Sequence, residues 1–177
     1  ARREIGLALG EQPTAKGYPA SVMSLIPSLV ERAGMGDTTS GGSITGIYTV
    51  LADGDDTNDP VVDSARAILD GHVVLSRANA QMGIYPAVDI SASISRVMND
   101  IVDPKHLAAA RRMRQLVSLY MENRDLMLMG GYVEGQDADL DQAVKLWPKI
   151  VEFISQRSDS RADFKTSIRD LLAVAGT

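Results

Sequence analysis

Over roughly the first hundred residues the hydrophobic positions fall in short runs whose rhythm keeps changing; beyond that they settle into long helical stripes. Residues 1–11 (ARREIGLALGE) form an amphipathic helical pattern already under way at its first residue, with no capping residue before it. The chain is therefore expected to be a fragment. A turn-rich EQPTAKGYP leads into a helix over SVMSLIPSLVERAG and a flexible MGDTTSGG. SITGIYTVLA is alternating and β-branched, which predicts a strand. DGDDTNDP is an acidic loop closing on Asp59-Pro60, a capping carboxylate followed by a first-turn proline. The helix VVDSARAILDG then stops at Gly71. HVVLS is a short apolar run of the kind found in strands buried on both faces. RANAQMG predicts a short helix and YPAVDI another strand. This strand–helix–strand alternation points to a parallel α/β sheet.

After Asp103-Pro104, a second capped helix start, no strand pattern recurs. Leu107, Ala110, Met113, Val117 and Tyr120 mark one helical stripe, ended by Gly130-Gly131. Leu140, Val144, Trp147, Val151 and Ile154 mark a second, and Phe164, Ile168, Leu171 and Leu172 a third. Three helices with short loops predict a small bundle, and a domain boundary near residue 103.

Composition narrows the function classes. With 177 residues, 45% of them hydrophobic, the chain can build one ordinary domain or a compact unit with an appendage. No apolar window is long enough to span a bilayer, and no signal-type core follows the first residues. Cysteine is absent, which rules out disulfides and thiolate metal sites and fits a reducing compartment. A net charge of −5 argues against a nonspecific nucleic-acid binder. The one dense basic run, Arg111-Arg112-Met113-Arg114, sits inside a helical pattern and is expected to be a solvated face.

Taken residue by residue, no self-sufficient catalytic constellation occurs. The glycine groups at Gly34-Gly36 and Gly41-Gly42 lack the lysine of a phosphate loop. His72 and His106 are far apart in sequence, with no metal-ligand spacing, and no serine sits in a nucleophile elbow. What stands out is Arg96, alone at the end of the small-residue stretch DISASISR. A guanidinium so placed either pairs with a carboxylate such as Asp89 or Asp100, or reaches out of its own fold.

GEQPTAKGYPASV, GGSITGIYTVLADGDDTNDP, DSARAILDGHVVLSR and GIYPAVDISASISRVM, in this order, resemble the catalytic subunits of the rotary-type ATPases, and the flagellar type III export ATPases most of all. SARAILDGHVVLSR and DISASISR are closer to the flagellar and virulence export enzymes than to the proton-driven synthase. LWPKIVEFISQ and SRADF tilt the likeness toward the flagellar branch. The resemblance implies the C-terminal part of a RecA-like parallel-sheet nucleotide-binding domain over residues 1–103, followed by a small all-α helical bundle over 104–177. The phosphate loop, general-base glutamate and magnesium-binding aspartate of the family would lie upstream, so this piece by itself is expected to be inactive.

Carried over residue by residue, the resemblance makes Arg96 the arginine finger that completes a neighbouring subunit's site. Tyr85 matches the aromatic that stacks on adenine, the alternative being a half-buried strand tyrosine. Phe153 falls where a second adenine-contacting aromatic lies, or is a plain core residue. Asp55, Asp56 and Asp59 correspond to a loop facing the central stalk, or form a solvated turn. Residues 134–141 (EGQDADLD) fall at the acidic lever of the synthase β subunit, or contain a helix cap at Asp137 or Asp139. Arg66 and Arg77 are family positions expected to support the fold or subunit interface. The parent so implied is a homohexamer using ATP and Mg2+ for bacterial flagellum biogenesis, cytoplasmic and peripheral at the inner face of the inner membrane. Its partners would be a coiled-coil stalk protein, a stator-like regulator and an export-gate membrane complex, with no nucleic acid. Alternatives are a virulence type III secretion ATPase, a synthase β-type subunit, or a non-catalytic module that binds such a hexamer or its stalk. The RNA-translocating terminator shares sheet and finger, but the helical bundle argues against it.

Overall fold

A computed structural model describes residues 1–37, 39, 41–52 and 59–176. The chain forms two compact units, Ala1–Asp70 and Gly71–Thr177.

The first unit contains helices α1 (Arg2–Ala8), α2 (Ala20–Val30) and α3 (Pro60–Ile68), and strands β1 (Gly34–Met35) and β2 (Ser43–Ile44). The strands pair antiparallel, Gly34 with Ile44 and Met35 with Ser43. The strand expected over SITGIYTVLA is thus limited to its first two residues, and the extended backbone beyond them leaves Ile47 93% exposed. Helix α3 begins as its sequence predicts. The Asp59 carboxylate accepts the Val61 N–H at 2.8 Å, Pro60 opens the helix, and Lys16 Nζ lies 3.4 Å from the second oxygen. The Val61 N–H, helped by Lys16, holds the Asp59 carboxyl below the usual carboxylate range.

The second unit opens with strand β3 (Gly71–Leu75), the short helix α4 (Arg77–Gln81), strand β4 (Val88–Ser95) and the single turn α5 (Met98–Ile101). Helices α6 (Pro104–Leu128), α7 (Ala138–Ile154) and α8 (Phe164–Ala175) follow. Strands β3 and β4 pair antiparallel, Gly71 with Ser95 and Leu75 with Val88, where the alternation predicts a parallel pair. The reason is local. Helix α4 is only five residues long, and the Ser76 N–H donates to the Ala87 carbonyl, so the chain folds straight back along the edge it left. Val73 and Leu75 are each 70% exposed, so β3 lacks the two-sided burial its apolar run predicts.

Each helix of the bundle starts on an aspartate. Asp103 accepts from the Lys105 and His106 N–H groups, Asp137 from Asp139 and Leu140, and Asp163 from Thr166. The core joins Ala109, Met113, Leu116 and Val117 of α6 to Ala143 and Ile150 of α7 and Leu171 and Ala175 of α8, with Ile90 of β4 packed against it. Tyr120 and Trp147 stack across α6 and α7, ring centres 3.9 Å apart and planes within 7°. Phe164, expected in the α8 stripe, is 72% exposed in the first turn, edge-on to His106. Because β4 packs into the same body as the bundle, the division between compact units falls at Asp70, before the boundary expected near residue 103.

Candidate functional site: a tyrosine-walled groove and an arginine at the end of β4

The groove forms where the chain leaves α4. Gly83 takes a left-handed φ of +76°, open to glycine at little cost, and turns the backbone toward β4. Ile84 is buried and its N–H donates to the Asn79 carbonyl, while the buried Asn79 amide donates to Val88 O at 2.9 Å. Between these two anchors Tyr85 stands 56% exposed, joined to Pro86 by a cis peptide.

The opposite wall is the segment after α7. The Gln156 N–H donates to the Tyr85 carbonyl at 2.7 Å, its side-chain amide donates to Ser160 O, and the Ser160 hydroxyl donates to Arg157 O. The Arg157 guanidinium forks onto Asp159 at 2.8 and 2.7 Å. That contact raises the Arg157 pKa further and holds the Asp159 carboxyl below its ordinary range. The resulting open groove has a volume of about 780 Å3 and is lined by Tyr85, Pro86, Gln156, Arg157 and Ser160, among others. An exposed aromatic face on a stiff mount, beside backbone amides and a guanidinium, is chemistry suited to stacking a planar heterocycle. The adenine moiety fits such a wall. Among the described residues no three or more His, Asp or Glu side chains converge.

Phe153 is half-buried against the bundle core, two residues before the groove-lining segment. Arg96 lies at the other end of β4 from Tyr85, exposed, directly after Ser95. Gly71, the ladder partner of Ser95, permits a very close approach there. A Cβ at Gly71 would sit 2.6 Å from the Ile94 carbonyl oxygen. Before Arg96 the ladder slips, with an irregularity between His72 and Val74. The small residues opposite it are used in that slip. Asp89 accepts the Ala92 N–H, Ser93 Oγ accepts the Val74 N–H, and Ser91 and Ser118 hydroxyls meet at 3.0 Å.

The basic run is not simply a solvated face. Arg111 donates to Asn99 at 3.1 Å, Arg114 to the Ser93 carbonyl at 2.9 Å, and Arg112 to Asp139 and Gln142 at the start of α7. Sequence reasoning misses these three partnerships and the 155–160 wall. The run's i, i+3 spacing and the polar stretch SQRSDSR were the only signals present. Residues 134–141 are likewise drawn into local structure: Asp137 is the helix cap, and Asp141 accepts from the Tyr132 hydroxyl and the Gly135 N–H. The Asp141 contact pushes the Tyr132 phenol up to about 12. Asp55 and Asp56 lie outside the described residues, whereas Asp59 is buried, capping α3.

Residues 1–95 match the nucleotide-binding domain of the ATP synthase alpha/beta family, and residues 102–173 match the C-terminal domain of the type III secretion ATPase EscN. The chain belongs to the ATP synthase alpha/beta family. Within it, the chain is 53% identical over 171 residues to the flagellum-specific ATP synthase of Salmonella typhimurium, covering 97% of this chain and 37% of that protein. The assembled EscN of enteropathogenic E. coli superposes with a TM-score of 0.92 at 42% identity, over 98% of this chain and 42% of EscN. EscN in complex with its central stalk EscO superposes at 0.84, with 40% identity, over 98% of this chain and 40% of that one. The chain thus spans about two fifths of the length of the curated relatives it matches. Among the described residues no helix is long and apolar enough to cross a membrane.

Proposed function

We propose that this chain is the C-terminal part of a hexameric ATPase whose hydrolysis of ATP energises flagellar type III protein export. In this reading Tyr85 walls the adenine pocket of its own subunit, and Phe153, half-buried against the bundle core, is the second aromatic of that pocket. Arg96 serves the neighbouring subunit. A planar guanidinium meets the equatorial oxygens of the transferred phosphoryl group with forked donors, and such a finger is typically worth on the order of 10³–10⁵ in rate. Magnesium and the phosphates are held by residues outside this chain. The division near residue 103, between nucleotide-binding portion and C-terminal helical domain, belongs to the same proposal and is supported by the two family models that meet there. So do a homohexameric ring, a coiled-coil stalk in its centre, a stator-like regulator, an export-gate complex and a position at the inner face of the bacterial membrane. The assembled and stalk-bound forms of EscN support the first two.

One observation carries the division of labour between subunits. Tyr85 lines the groove together with Gln156, Arg157 and Ser160, whereas Arg96, past the far end of strand β4, is not among the residues that line it. In this reading a nucleotide stacked on Tyr85 takes its arginine from a neighbouring subunit. In the full-length protein Arg96→Ala should lower kcat by about 10³-fold or more while leaving nucleotide binding intact. Tyr85→Ala should raise KM for ATP more than it lowers kcat. Near-normal turnover in the first variant, or an unchanged KM in the second, removes that residue from its role.

A further inference from the structure

We propose that Arg114 is a positioning residue for Arg96, fixing how far that guanidinium reaches from the end of β4; this rests on the reading of Arg96 as the trans arginine. The ladder holds Ile94 and Ser95 against His72 and Gly71, but its register slips between His72 and Val74, so residues 90–93 just before them have no ladder partner and take their position from other contacts. Two successive carbonyls in the slipped stretch are met by side chains from opposite sides. Ala92 O lies 3.1 Å from His72 Nε2 of β3, and Ser93 O accepts from Arg114 Nη2 of α6 at 2.9 Å.

The same helix also grips the chain beyond the arginine. Arg111 donates to Asn99 Oδ1 at 3.1 Å, while on the near side of the arginine Ser118 meets Ser91. Residues 111, 114 and 118 follow the i, i+3, i+7 spacing of one helical face. That face therefore holds the backbone carbonyl three residues before Arg96, at Ser93, and a side chain three residues after it, at Asn99. Helix α6 is also the helix that both α7 and α8 pack against in the core. A shift of the bundle is thereby transmitted to the arginine through Arg114, with no need for the nucleotide groove as intermediary.

The grip is separable from folding. Arg114 is exposed, while α6 is held in place by Ala109, Met113, Leu116 and Val117, all buried. Losing the Ser93 contact should therefore misplace Arg96 without unfolding the unit. Displacement of a reacting group by about 1 Å costs on the order of 10²-fold in rate.

The test uses the full-length enzyme, at protein concentrations where turnover per subunit no longer rises. Arg114→Met should lower kcat by roughly 10–100-fold, with KM for ATP and melting temperature unchanged. Arg114→Lys, which keeps a cationic donor on a flexible stem, should recover part of the loss. The double variant Arg96→Ala/Arg114→Met should be no slower than Arg96→Ala alone, since Arg114 acts through Arg96. Wild-type kcat in Arg114→Met beside an inactive Arg96→Ala overturns the positioning role and leaves the reading of Arg96 standing. An active Arg96→Ala overturns both. A double variant slower by the product of the two single losses, or a melting temperature that falls with kcat and no rescue by lysine, shows that Arg114 acts elsewhere.

Discussion

The two compact units both carry many apolar residues and use them differently. In Gly71–Thr177 the apolar residues close on one another, and Leu116 and Ile150 are wholly buried. In Ala1–Asp70 helix α2 has no buried residue, and Ile44, Ile47 and Leu51 lie on the surface. A helix carries its own backbone hydrogen bonds and needs a neighbour only for one stripe. A strand needs a neighbour on each edge as well as a cover on each face. The bundle core is built mostly from within 104–176, with Ile90 of β4 against it, whereas among the described residues SITGIYTVLA has a ladder partner only at Ser43 and Ile44. The number of apolar residues in a region therefore does not by itself tell whether they close into a core.

The sharpest way to break this contrast is in the bundle core. Leu116→Ala should destabilise the second unit by about 2–5 kcal/mol, read by chemical denaturation. A loss below about 1 kcal/mol would mean that the core is looser than its burial implies. Next is the close strand approach at Gly71. Gly71→Ala puts a methyl against the Ile94 carbonyl, and should both lower stability and reduce kcat of the full-length enzyme by displacing the end of β4. Normal values of both would show that the ladder opens there at little cost.

Acid should test the helix caps of the second unit by a smaller margin. The His106 N–H holds the Asp103 carboxyl below its ordinary range, and the Thr166 hydroxyl and N–H do the same for Asp163. A carboxylate with a depressed folded pKa contributes stability that is complete above its unfolded value, about 4, and is lost as pH falls through the lower folded value. Helicity followed by circular dichroism should thus hold to about pH 4 and decline below it, and Asp103→Asn with Asp163→Asn should flatten that decline. An unchanged acid profile would remove the caps from the account. The smallest effect is expected at Ile47→Thr in this chain, within about 0.5 kcal/mol of the parent. A larger loss would reveal a cover over residue 47.

What was legible in the sequence follows the same division. Asp59-Pro60 and Asp103-Pro104 announced two helix starts, and Gly130-Gly131 one helix end, because capping chemistry is local. The phase of the stripes was less legible. Ala109 and Ala143 are fully buried where helices approach closely, yet an alanine looks the same in sequence whether it faces a neighbour or water. Phe164 erred in the other direction, since a first-turn residue can precede the face that meets the core. Arg96 stands out in the sequence at the end of its small-residue run, but the roles expected of it and of Tyr85 come only from the resemblance of whole motifs. The hydrogen bonds of Arg111 and Arg114 could not have emerged at all, because their acceptors lie on separate elements brought together by the fold.

The stack of Tyr120 on Trp147 has a practical corollary. Trp147 is the sole indole of the chain, and its emission is sensitive to a phenol ring lying flat against it. Any event that slides α6 along α7 alters that overlap and with it the brightness and colour of the fluorescence. The bundle carries a built-in optical gauge, readable in real time without a label.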